Sequence, residues 1–297
     1  MTQDVSGSPL SQVLRDASQT LAAAGCDTPR LDAEVLLAHV LGCDRAWLYA
    51  HPEHRLSAPK LNAYRPLISR RVGREPVAYL TGHKEFFGQD FVVTPDVLIP
   101  RPETECLVEQ ALDCAASLPL SPIIADVGSG SGAVAVSLAV HLPQARVIAL
   151  DVSPAALAVT RRNAARHGVA QRVHCLQADL LASLTGPLDL VVANPPYLSQ
   201  AELASASPEV AGWEPRVALH GGSDGLAVIR RIVAMAAYRL GPGSALLMEI
   251  GATQGAEALG LAQRHFPQAN LQIVQDYAGR DRLLVVRCPN LAKAPSL

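Results

Sequence analysis

Short apolar runs alternate with amphipathic stretches along the carboxyl-terminal part of the chain. The runs are rich in valine, leucine and isoleucine, and their length suits buried strands. They are Ile123–Val127, Arg146–Asp151, Val173–Gln177, Leu188–Ala193, 244–249, 271–275 and 282–287. Helical patterns such as Ala133–His141 and 154–167 lie between most of them. This alternation predicts an α/β fold in which helices cover both faces of a parallel sheet.

The amino-terminal part of the chain has helical periodicity only. Apolar residues three and four positions apart predict helices that begin near Ser8, Thr28 and Ser57, each closely followed by a proline. We therefore expect residues 1–79 to form a small helical domain. Its arginines form either a solvated face, which we favour, or a contact for an acidic partner. The arginines concerned are Arg65, Arg70, Arg71 and Arg74.

A β-hairpin is predicted where the two parts meet. Three of the four phenylalanines fall within residues 86–91, around Gly88-Gln89-Asp90. A rigid run with two prolines follows, and Thr104 or Glu103 can begin the next helix. The expected divisions after residue 79 are a hairpin linker at 80–101, an α/β domain at 102–290 and a tail at 291–297.

Composition narrows the class of protein. The 297 residues are 49% hydrophobic and 18% charged, which allows a large core and argues against disorder. A net charge of −2 argues against a long phosphate backbone as the main partner. The six cysteines form no Cys-x-x-Cys pair, so free thiols in a reducing cytosol are expected. Since no apolar run reaches about 18 residues and no signal-peptide pattern is present, we expect a cytoplasmic protein without a membrane span.

The first predicted strand leads into a glycine-rich loop, Asp126-Val127-Gly128-Ser129-Gly130-Ser131-Gly132. Three glycines at alternate positions let the backbone approach a ligand closely, and a helix follows at once. No Gly-Lys-Ser/Thr follows, which excludes a P-loop. Asp151 ends the next strand and is placed to hold ribose hydroxyls, so a dinucleotide fold stays open.

Two details favour S-adenosylmethionine over a nicotinamide dinucleotide. The glycines have Gly-x-Gly-x-Gly spacing after an acid, Asp126, at the strand end. A second acid, Asp179, can hold the adenine amine while Leu180 packs on the adenine face; a helix N-cap is the other interpretation of Asp179. The predicted cofactor-binding residues are Asp126, Gly128, Ser129, Gly130, Ser131, Gly132, Asp151, Asp179, Leu180 and Asn194.

The tetrapeptide Asn194-Pro195-Pro196-Tyr197 follows the strand Leu188–Ala193. Its prolines lack an N–H and cannot continue a strand ladder, so the chain leaves the sheet there, stiff and extended. The Asn194 carbonyl and the Pro195 backbone carbonyl can each accept one N–H of a flat amino group, while Tyr197 stacks on its plane. An ordinary Asn-Pro turn is the alternative. We predict that Asn194, Pro195 and Tyr197 are catalytic, that these residues and Pro196 bind the substrate, and that no metal is bound.

Three further acids lie at predicted element ends. Glu103 and Glu105 can face a basic surface of a partner or offset a helix dipole. Glu249, at the end of a predicted strand, can line the site or simply mark the exit of the strand into a loop. The residues alone leave both choices open.

The glycine loop with its acid, Asp151 and the tetrapeptide together resemble the class I methyltransferases that modify planar amino groups. Five further runs are similar to the release factor glutamine methyltransferases, the HemK/PrmC family. They lie at 76–82, 99–105, 214–219, 222–225 and 276–282. The most specific are Pro-Arg-Pro-Glu-Thr-Glu at 100–105 and Ala-Gly-Arg-Asp-Arg at 278–282.

This resemblance implies a Rossmann-like, seven-stranded class I methyltransferase sheet and an N-terminal helical domain that helps to dock the substrate. It implies transfer of a methyl group from S-adenosyl-L-methionine to a side-chain amide nitrogen, with S-adenosylhomocysteine as product. The acceptor would be N5 of the glutamine in the Gly-Gly-Gln loop of bacterial peptide chain release factors. Release factors are thus the expected partner of a monomeric protein with no direct DNA contact, no membrane contact and no metal.

Three alternatives stay open. An adenine amino methyltransferase shares the tetrapeptide but needs a groove of basic and aromatic residues; the acidic balance and the N-terminal part count against it. A sister family methylates a glutamine of a ribosomal protein and differs after the first Pro-Arg. A protein that binds the cofactor and regulates translation by docking alone is disfavoured by the intact tetrapeptide.

Overall fold

The computed structural model describes residues 8–290. The predicted tail at 291–297 and the stretch 1–7 lie outside the described residues. The chain divides into two compact units: residues 8–83 with Pro208–Trp213 form the first, and residues 84–207 with 214–290 form the second. The second unit is thus interrupted by a short segment that belongs to the first, which the hydrophobic pattern does not predict.

The first unit is mainly helical, whereas strands and helices alternate in the second. In chain order the helices are α1 (Leu10–Ala23), α2 (Pro29–Leu41), α3 (Arg45–Ala50), α4 (Ala58–Val72), α5 (Val77–Thr81), α6 (Glu105–Ala115), α7 (Ala133–His141), α8 (Pro154–Arg166), α9 (Gln200–Ser205), α10 (Pro208–Trp213), α11 (Arg216–Leu219), α12 (Ala227–Ala236) and α13 (Gly255–His265). The strands are β1 (Ser8–Pro9), β2 (Arg55–Leu56), β3 (His83–Phe86), β4 (Gln89–Val92), β5 (Ile123–Val127), β6 (Arg146–Asp151), β7 (Val173–Gln177), β8 (Leu188–Ala193), β9 (Leu240–Glu249), β10 (Asn270–Gln275) and β11 (Asp281–Arg287). None of the helices within residues 8–290 has the length and apolar character needed to cross a membrane.

The core of the first unit consists of the apolar faces of its helices. Leu10, Leu14 and Leu21 recur at helical spacing along α1, and all three are buried. This is the periodicity that predicts the helix. α2 ends at Gly42, whose φ of 73° is a left-handed conformation that glycine adopts without strain. The predicted helical character of the N-terminal region is thus confirmed.

A buried ion-pair cluster holds α10 within the first unit. Arg71 in α4 is only 5% exposed and donates to Asp32 at 2.7 Å and to Glu209 of α10 at 2.8 Å. Arg74 also donates to Glu209, at 2.7 Å. Burial by itself raises the pKa of Glu209, but the hydrogen bonds from Arg74 and Arg71 outweigh it and lower that pKa to about 2. The expectation of a solvated arginine face is therefore wrong for Arg71.

The second unit contains a seven-stranded sheet with the strand order β10-β11-β9-β8-β5-β6-β7. Four neighbouring pairs are parallel: β7 with β6, β6 with β5, β5 with β8, and β8 with β9. In contrast, β11 is antiparallel to both of its neighbours, β9 and β10. The predicted seven-stranded α/β sheet is confirmed, whereas the prediction that it is parallel throughout is wrong at β11. Only residues 276–280 join β10 to β11, and so short a connection makes a hairpin rather than a crossover to a parallel strand.

Parallel pairing aligns the carboxyl ends of β5, β6 and β8. Val127 pairs with Leu150 on one side and with Ala193 on the other. The glycine loop, Asp151 and the tetrapeptide therefore leave the sheet side by side. Buried apolar clusters cover both faces of the sheet, as the continuous apolar runs predict.

The predicted hairpin is formed by β3 and β4. Its turn is Phe87-Gly88, whose φ values of 51° and 71° are the two positive angles of a type I′ turn. Gln89 and Asp90, which were expected in the turn, begin β4 instead. The Phe87 N–H donates to Glu105 Oε1 at 2.9 Å. Glu105 thus holds the hairpin turn. This role is neither of the two that its sequence position suggests, contact with a basic partner and compensation of a helix dipole.

Replacing Arg71 by alanine tests how much the ion-pair cluster stabilises the first unit. The change leaves Asp32 and Glu209 without their shared partner, and an uncompensated buried charge costs about 3–5 kcal/mol. We expect urea denaturation to show a free energy of unfolding lower by that order. The control, Arg65→Ala on the exposed surface of α4, should change it by less than about 0.5 kcal/mol. Equal stability of Arg71→Ala and the wild type would show that the cluster contributes nothing net.

Candidate active site

A cavity of about 410 Å³ lies at the carboxyl ends of β5, β6 and β8, and all residues that line it belong to the second unit. Open α/β sheets bind their ligands at this edge. The predicted site residues that line the cavity are Asp126, Gly128, Ser129, Gly130, Ser131, Asp151, Asp179, Leu180, Asn194 and Pro196. The remaining predicted residues, Gly132, Pro195 and Tyr197, are their chain neighbours and are not part of the lining. The cavity is therefore the candidate active site.

Backbone geometry explains the glycines of the loop. The φ values of Gly128, Gly130 and Gly132 are 78°, 55° and 79°, a region that residues with a Cβ rarely adopt. A Cβ on Gly132 would lie 2.8 Å from Thr160 Cγ2, so this glycine lets the loop pack closely on α8. A Cβ on Gly130 would meet no atom within 4 Å and would stand in open space at the cavity. The loop therefore leaves room that a bound ligand can fill.

Two residues of α8 that hold the loop were missed in the sequence. Thr160 Oγ1 donates to the Gly130 carbonyl at 3.0 Å. Asn163 Nδ2 donates to the carbonyls of Ser131 and Val92 at 2.8 and 2.9 Å, and Asn163 Oδ1 accepts the Val92 N–H at 2.8 Å. Both side chains are fully buried. The sequence could have indicated them, because each is a polar residue at a core position of an amphipathic helix and buried polar groups need hydrogen-bond partners.

Asp126 connects the glycine loop to α7. Its side chain is buried, and Oδ2 accepts the Ala135 N–H at 3.1 Å. Ala135 lies in the first turn of α7, where backbone N–H groups have no partner within the helix. Burial raises the pKa of Asp126 to about 7, the Ala135 hydrogen bond opposes this rise, and the charge of Asp151 adds to it. Asp126 therefore titrates near neutral pH at the wall of the cavity.

The Asp151 carboxylate bridges two backbone segments. Oδ2 accepts the Gly130 N–H and Oδ1 accepts the Ser153 N–H, each at 2.9 Å. Each carboxylate oxygen has a further lone pair, and Asp151 lines the cavity. The side chain can thus brace the glycine loop and still accept hydrogen bonds from two hydroxyl groups. This arrangement fits the ribose of S-adenosylmethionine.

Asp179 and Leu180 lie at another wall of the cavity. Asp179 Oδ2 is paired with Arg231 at 2.6 Å, and the two side chains are 60% and 52% exposed. Residues 180–183 form a turn rather than a helix, so the N-cap interpretation of Asp179 is wrong. Leu180 has a φ of 54° and packs against the apolar cluster on this face of the sheet. Contact of both residues with an adenine ring stays a prediction, and Arg231, also in the lining, was missed.

Hydrogen bonds hold the side chain of Asn194. Its Nδ2 donates to Thr104 Oγ1 at 3.0 Å, and Thr104 Oγ1 donates to Glu249 Oε2 at 2.7 Å. The Tyr197 hydroxyl donates to Glu249 Oε1 at 3.2 Å. Asn194 and Thr104 line the cavity, whereas Glu249 is in contact with Thr104 outside the lining. The atom of the Asn194 amide that these bonds leave for a ligand is the carbonyl oxygen Oδ1.

Buried Glu249 and half-buried Tyr197 form a hydrogen-bonded pair. Glu249 is 1% exposed, and burial raises its pKa, while the hydrogen bonds from Thr104 and Tyr197 and the positive charge of Arg282 oppose the rise. Burial also raises the pKa of Tyr197, and the neighbouring Glu249 adds to the shift. Tyr197 is therefore a neutral hydroxyl donor at physiological pH. Stacking of its ring on a substrate stays a prediction.

Residues of two other segments hold the backbone at the end of the tetrapeptide and directly after it. Gln254 Nε2 donates to the Tyr197 carbonyl at 2.9 Å. The Gly221 N–H donates to the Leu198 carbonyl at 2.8 Å. A Cβ on Gly225, whose φ is 75°, would lie 2.3 Å from the Tyr197 carbonyl oxygen. Only glycine at this position allows the chain at 221–225 to lie against the tetrapeptide.

Glu214 links two of the runs noted in the sequence. Its carboxylate accepts the Ile99 N–H at 3.2 Å and forms an ion pair with Arg101. The Glu214 side chain is almost fully buried. This contact fixes the start of the Pro-Arg-Pro-Glu-Thr-Glu run, which places Thr104 beside Asn194.

Within residues 8–290, no three side chains of histidine, cysteine, aspartate or glutamate are grouped in a way that could hold a metal ion. All six cysteines are free, and three of them are buried.

Comparisons with known proteins cover both units. The sequence matches the PrmC N-terminal domain over residues 12–82 and the methyltransferase small domain over residues 104–209. It is 47% identical over 278 residues to the release factor glutamine methyltransferase of Moorella thermoacetica, covering 92% of this chain and 96% of the relative. The protein of the same name from Nitratidesulfovibrio vulgaris is 43% identical over 284 residues, covering 94% and 95%. A solved methyltransferase structure from Pyrococcus furiosus has a TM-score of 0.52 at 16% identity, covering 75% of this chain and 98% of the other, which shows the shared fold alone.

Asp151→Ala tests the cofactor site, because it removes the carboxylate that faces the cavity and braces Gly130. We expect the dissociation constant for S-adenosylmethionine, measured by isothermal titration calorimetry, to rise at least tenfold, or about 1.4 kcal/mol. Asp113→Ala removes an exposed acid of α6 and should leave this constant nearly unchanged. If Asp151→Ala bound S-adenosylmethionine as tightly as the wild type, Asp151 would have no part in the cofactor site.

Proposed function

Because the chain belongs to the family of release factor glutamine methyltransferases, we propose that it methylates N5 of the glutamine in the Gly-Gly-Gln loop of a bacterial peptide chain release factor. The methyl donor is S-adenosyl-L-methionine, and S-adenosylhomocysteine is the proposed product. The observation that carries the proposal is the fixed side chain of Asn194. Its NH2 group is bound to Thr104, which leaves a carbonyl oxygen at the cavity as an acceptor for an amide NH2 group.

An amide nitrogen is a weak nucleophile because its lone pair is delocalised, as its rotation barrier of about 18–20 kcal/mol indicates. The carboxylates that line the cavity are far weaker bases than an amide anion, so the protein acts by placing the nitrogen. Asn194 Oδ1 and the backbone carbonyl of Pro195 each accept one amide hydrogen. These contacts hold the NH2 group and favour the positive charge that develops on nitrogen. The surplus proton then leaves to water.

Two other members of the tetrapeptide complete the proposed substrate site. Pro196 lines the cavity and keeps the loop stiff. Tyr197 holds the plane of the substrate amide, and its bond to Glu249 keeps its ring in one position. Substrate recognition is thus proposed to depend on backbone rigidity as much as on side-chain contacts.

The glycine loop, Asp126, Asp151, Asp179 and Leu180 are the residues proposed to hold S-adenosylmethionine. Its sulfonium supplies the electrophilic methyl group. Asp151 accepts the ribose hydroxyls with the lone pairs that Gly130 and Ser153 leave free, and Leu180 packs against the adenine. No metal takes part in this proposal.

The proposal includes the partner and the setting. The first unit docks the release factor, supported by the match of residues 12–82 to the PrmC N-terminal domain. The net charge of −2 is consistent with a protein substrate and with no direct DNA contact. The protein is proposed to act as a monomer in the cytoplasm, where release factors work.

Asn194→Ala removes the proposed acceptor of the substrate amide. We expect turnover to fall by about 10²–10³-fold, the usual effect of losing one preorganised hydrogen bond at a reacting group. The affinity for S-adenosylmethionine should change little, because the glycine loop and Asp151 are intact. Steady-state methylation and calorimetry measure the two quantities. The control is Asn270→Ala, at an exposed position in β10; a near wild-type rate in Asn194→Ala would exclude the role given to Asn194.

The substrate itself is tested with a purified release factor and S-adenosylmethionine labelled in the methyl group. Mass spectrometry of the digested release factor should find a single added methyl group on the loop glutamine. A release factor with that glutamine replaced by alanine should gain none. Parallel reactions contain DNA, RNA or ribosomal protein. A methyl group on adenine or on a ribosomal glutamine, with an unmodified release factor, would contradict the proposal.

A further inference from the structure

Four polar side chains form a continuous hydrogen-bonded chain beside the cavity: Asn194, Thr104, Glu249 and Tyr197. We propose that Thr104 and Glu249 are positioning residues that determine which way the Asn194 amide faces, and therefore which of its atoms meets the substrate. This inference rests on the proposed function, in which Asn194 Oδ1 accepts a hydrogen bond from the substrate amide. Both residues act through Asn194.

The direction of the chain follows from the number of protons. A hydroxyl group has one proton. Thr104 donates it to Glu249 at 2.7 Å, so the Thr104 oxygen can only accept from Asn194. The Asn194 NH2 group therefore faces Thr104, at 3.0 Å. In the opposite orientation two oxygens would face each other without a hydrogen, and the Asn194 NH2 would meet the substrate NH2, a donor against a donor.

Glu249 sets this direction in its carboxylate form, which its two hydrogen-bond donors and Arg282 favour against burial, because a carboxylate only accepts hydrogen bonds. Thr104 and Tyr197 each donate to one of its oxygens, at 2.7 and 3.2 Å. The charged neighbours are Arg282 on β11, which favours the ionised form, and Glu103, which opposes it. The residue is almost fully buried, so water does not compete with these donors. Reversal of the Thr104 hydroxyl would leave one carboxylate oxygen without a partner, which buried groups rarely tolerate.

The position of Thr104 gives independent support. It is the last residue of a 3-10 helix, Pro102–Thr104, and directly precedes α6, at a position where a threonine oxygen often accepts a backbone N–H of the first turn. Thr104 makes no such bond, and its backbone is helical, with φ −70° and ψ −15°. Its hydroxyl is bound instead to Glu249 and Asn194. Helix initiation therefore does not account for a threonine here, whereas orientation of Asn194 does.

Nuclear magnetic resonance of the protein alone tests the orientation directly. The side-chain NH2 signal of Asn194 is assigned by its loss in Asn194→Ala. In the wild type we expect one of its protons to be shifted by the hydrogen bond and protected from exchange. Thr104→Val keeps the side-chain shape, removes the hydroxyl and should abolish both effects. Thr104→Ser keeps the hydroxyl and should preserve them.

Activity measurements with the release factor give the second readout. Thr104→Val should lower kcat by about 10–10²-fold, because a misplaced contact at a reacting group has an effect of that size. Thr104→Ser should restore most of the rate, and neither change should alter the affinity for S-adenosylmethionine. Glu249→Gln can offer Thr104 either an oxygen or an NH2 group and should give an intermediate rate. Thr185→Val, at an exposed position before β8, is the matched control.

Two results would overturn the inference: an unchanged Asn194 signal in Thr104→Val, or a Thr104→Ser enzyme as slow as Thr104→Val. If Thr104→Val does not fold, Glu249→Leu, which offers Thr104 no acceptor, serves in the same comparison, and an Asn194 signal like that of the wild type would contradict the role of Glu249. If the wild type methylates no release factor, the proposed function fails. The resonance comparison still decides the orientation of Asn194 in that case, because it uses no substrate.

Discussion

The parallel pairing of β5 with β6 and β8 is the constraint on which the candidate site depends. Val127 is in register with both Leu150 and Ala193, so the three strands end together and the segments that follow begin side by side. Beyond the last pair, the backbone N–H and C=O groups of these segments need other partners. The shape of the cavity is therefore decided by what those partners are.

Buried polar side chains supply part of these partners and also hold the segments that lie beside them. Asn163 binds the glycine loop and the hairpin, Glu214 binds the segment at 99–101, and Glu249 binds Thr104 and Tyr197. A buried polar group is costly when one of its partners is lost, and a complete network is correspondingly rigid. A loop at this edge cannot shift without leaving such a group unsatisfied. Loops without regular secondary structure can thus keep the cavity in one shape, because buried polar side chains hold them.

The local pattern of the chain predicts its elements well. The predicted and observed bounds coincide for β5, β6, β7 and β8, because each is a short, mostly apolar run that is followed by a polar or glycine-containing segment. The prediction fails where a distant residue decides the outcome. The local sequence predicts that Arg71 is solvated, but in the folded chain it is bound to Glu209, 138 positions away. The orientation of β11 and the position of the turn at Phe87 fail for a different, local reason: they depend on a short connection and on two positive φ values, which apolar periodicity does not encode.

The amino-acid sequence by itself determined the α/β architecture, the glycine loop, the two acids at strand ends and the tetrapeptide, because hydrophobic periodicity and backbone restrictions are properties of neighbouring residues. Only the tertiary structure decided how Asn194 is held. Its partner Thr104 lies 90 positions before it in the chain, and Glu249 lies 145 positions after Thr104. A hydrogen bond requires its donor and acceptor within about 3 Å of each other. That proximity arises from the packing of three separate segments, so no local pattern around Asn194 can reveal which atom of its amide is left for a ligand.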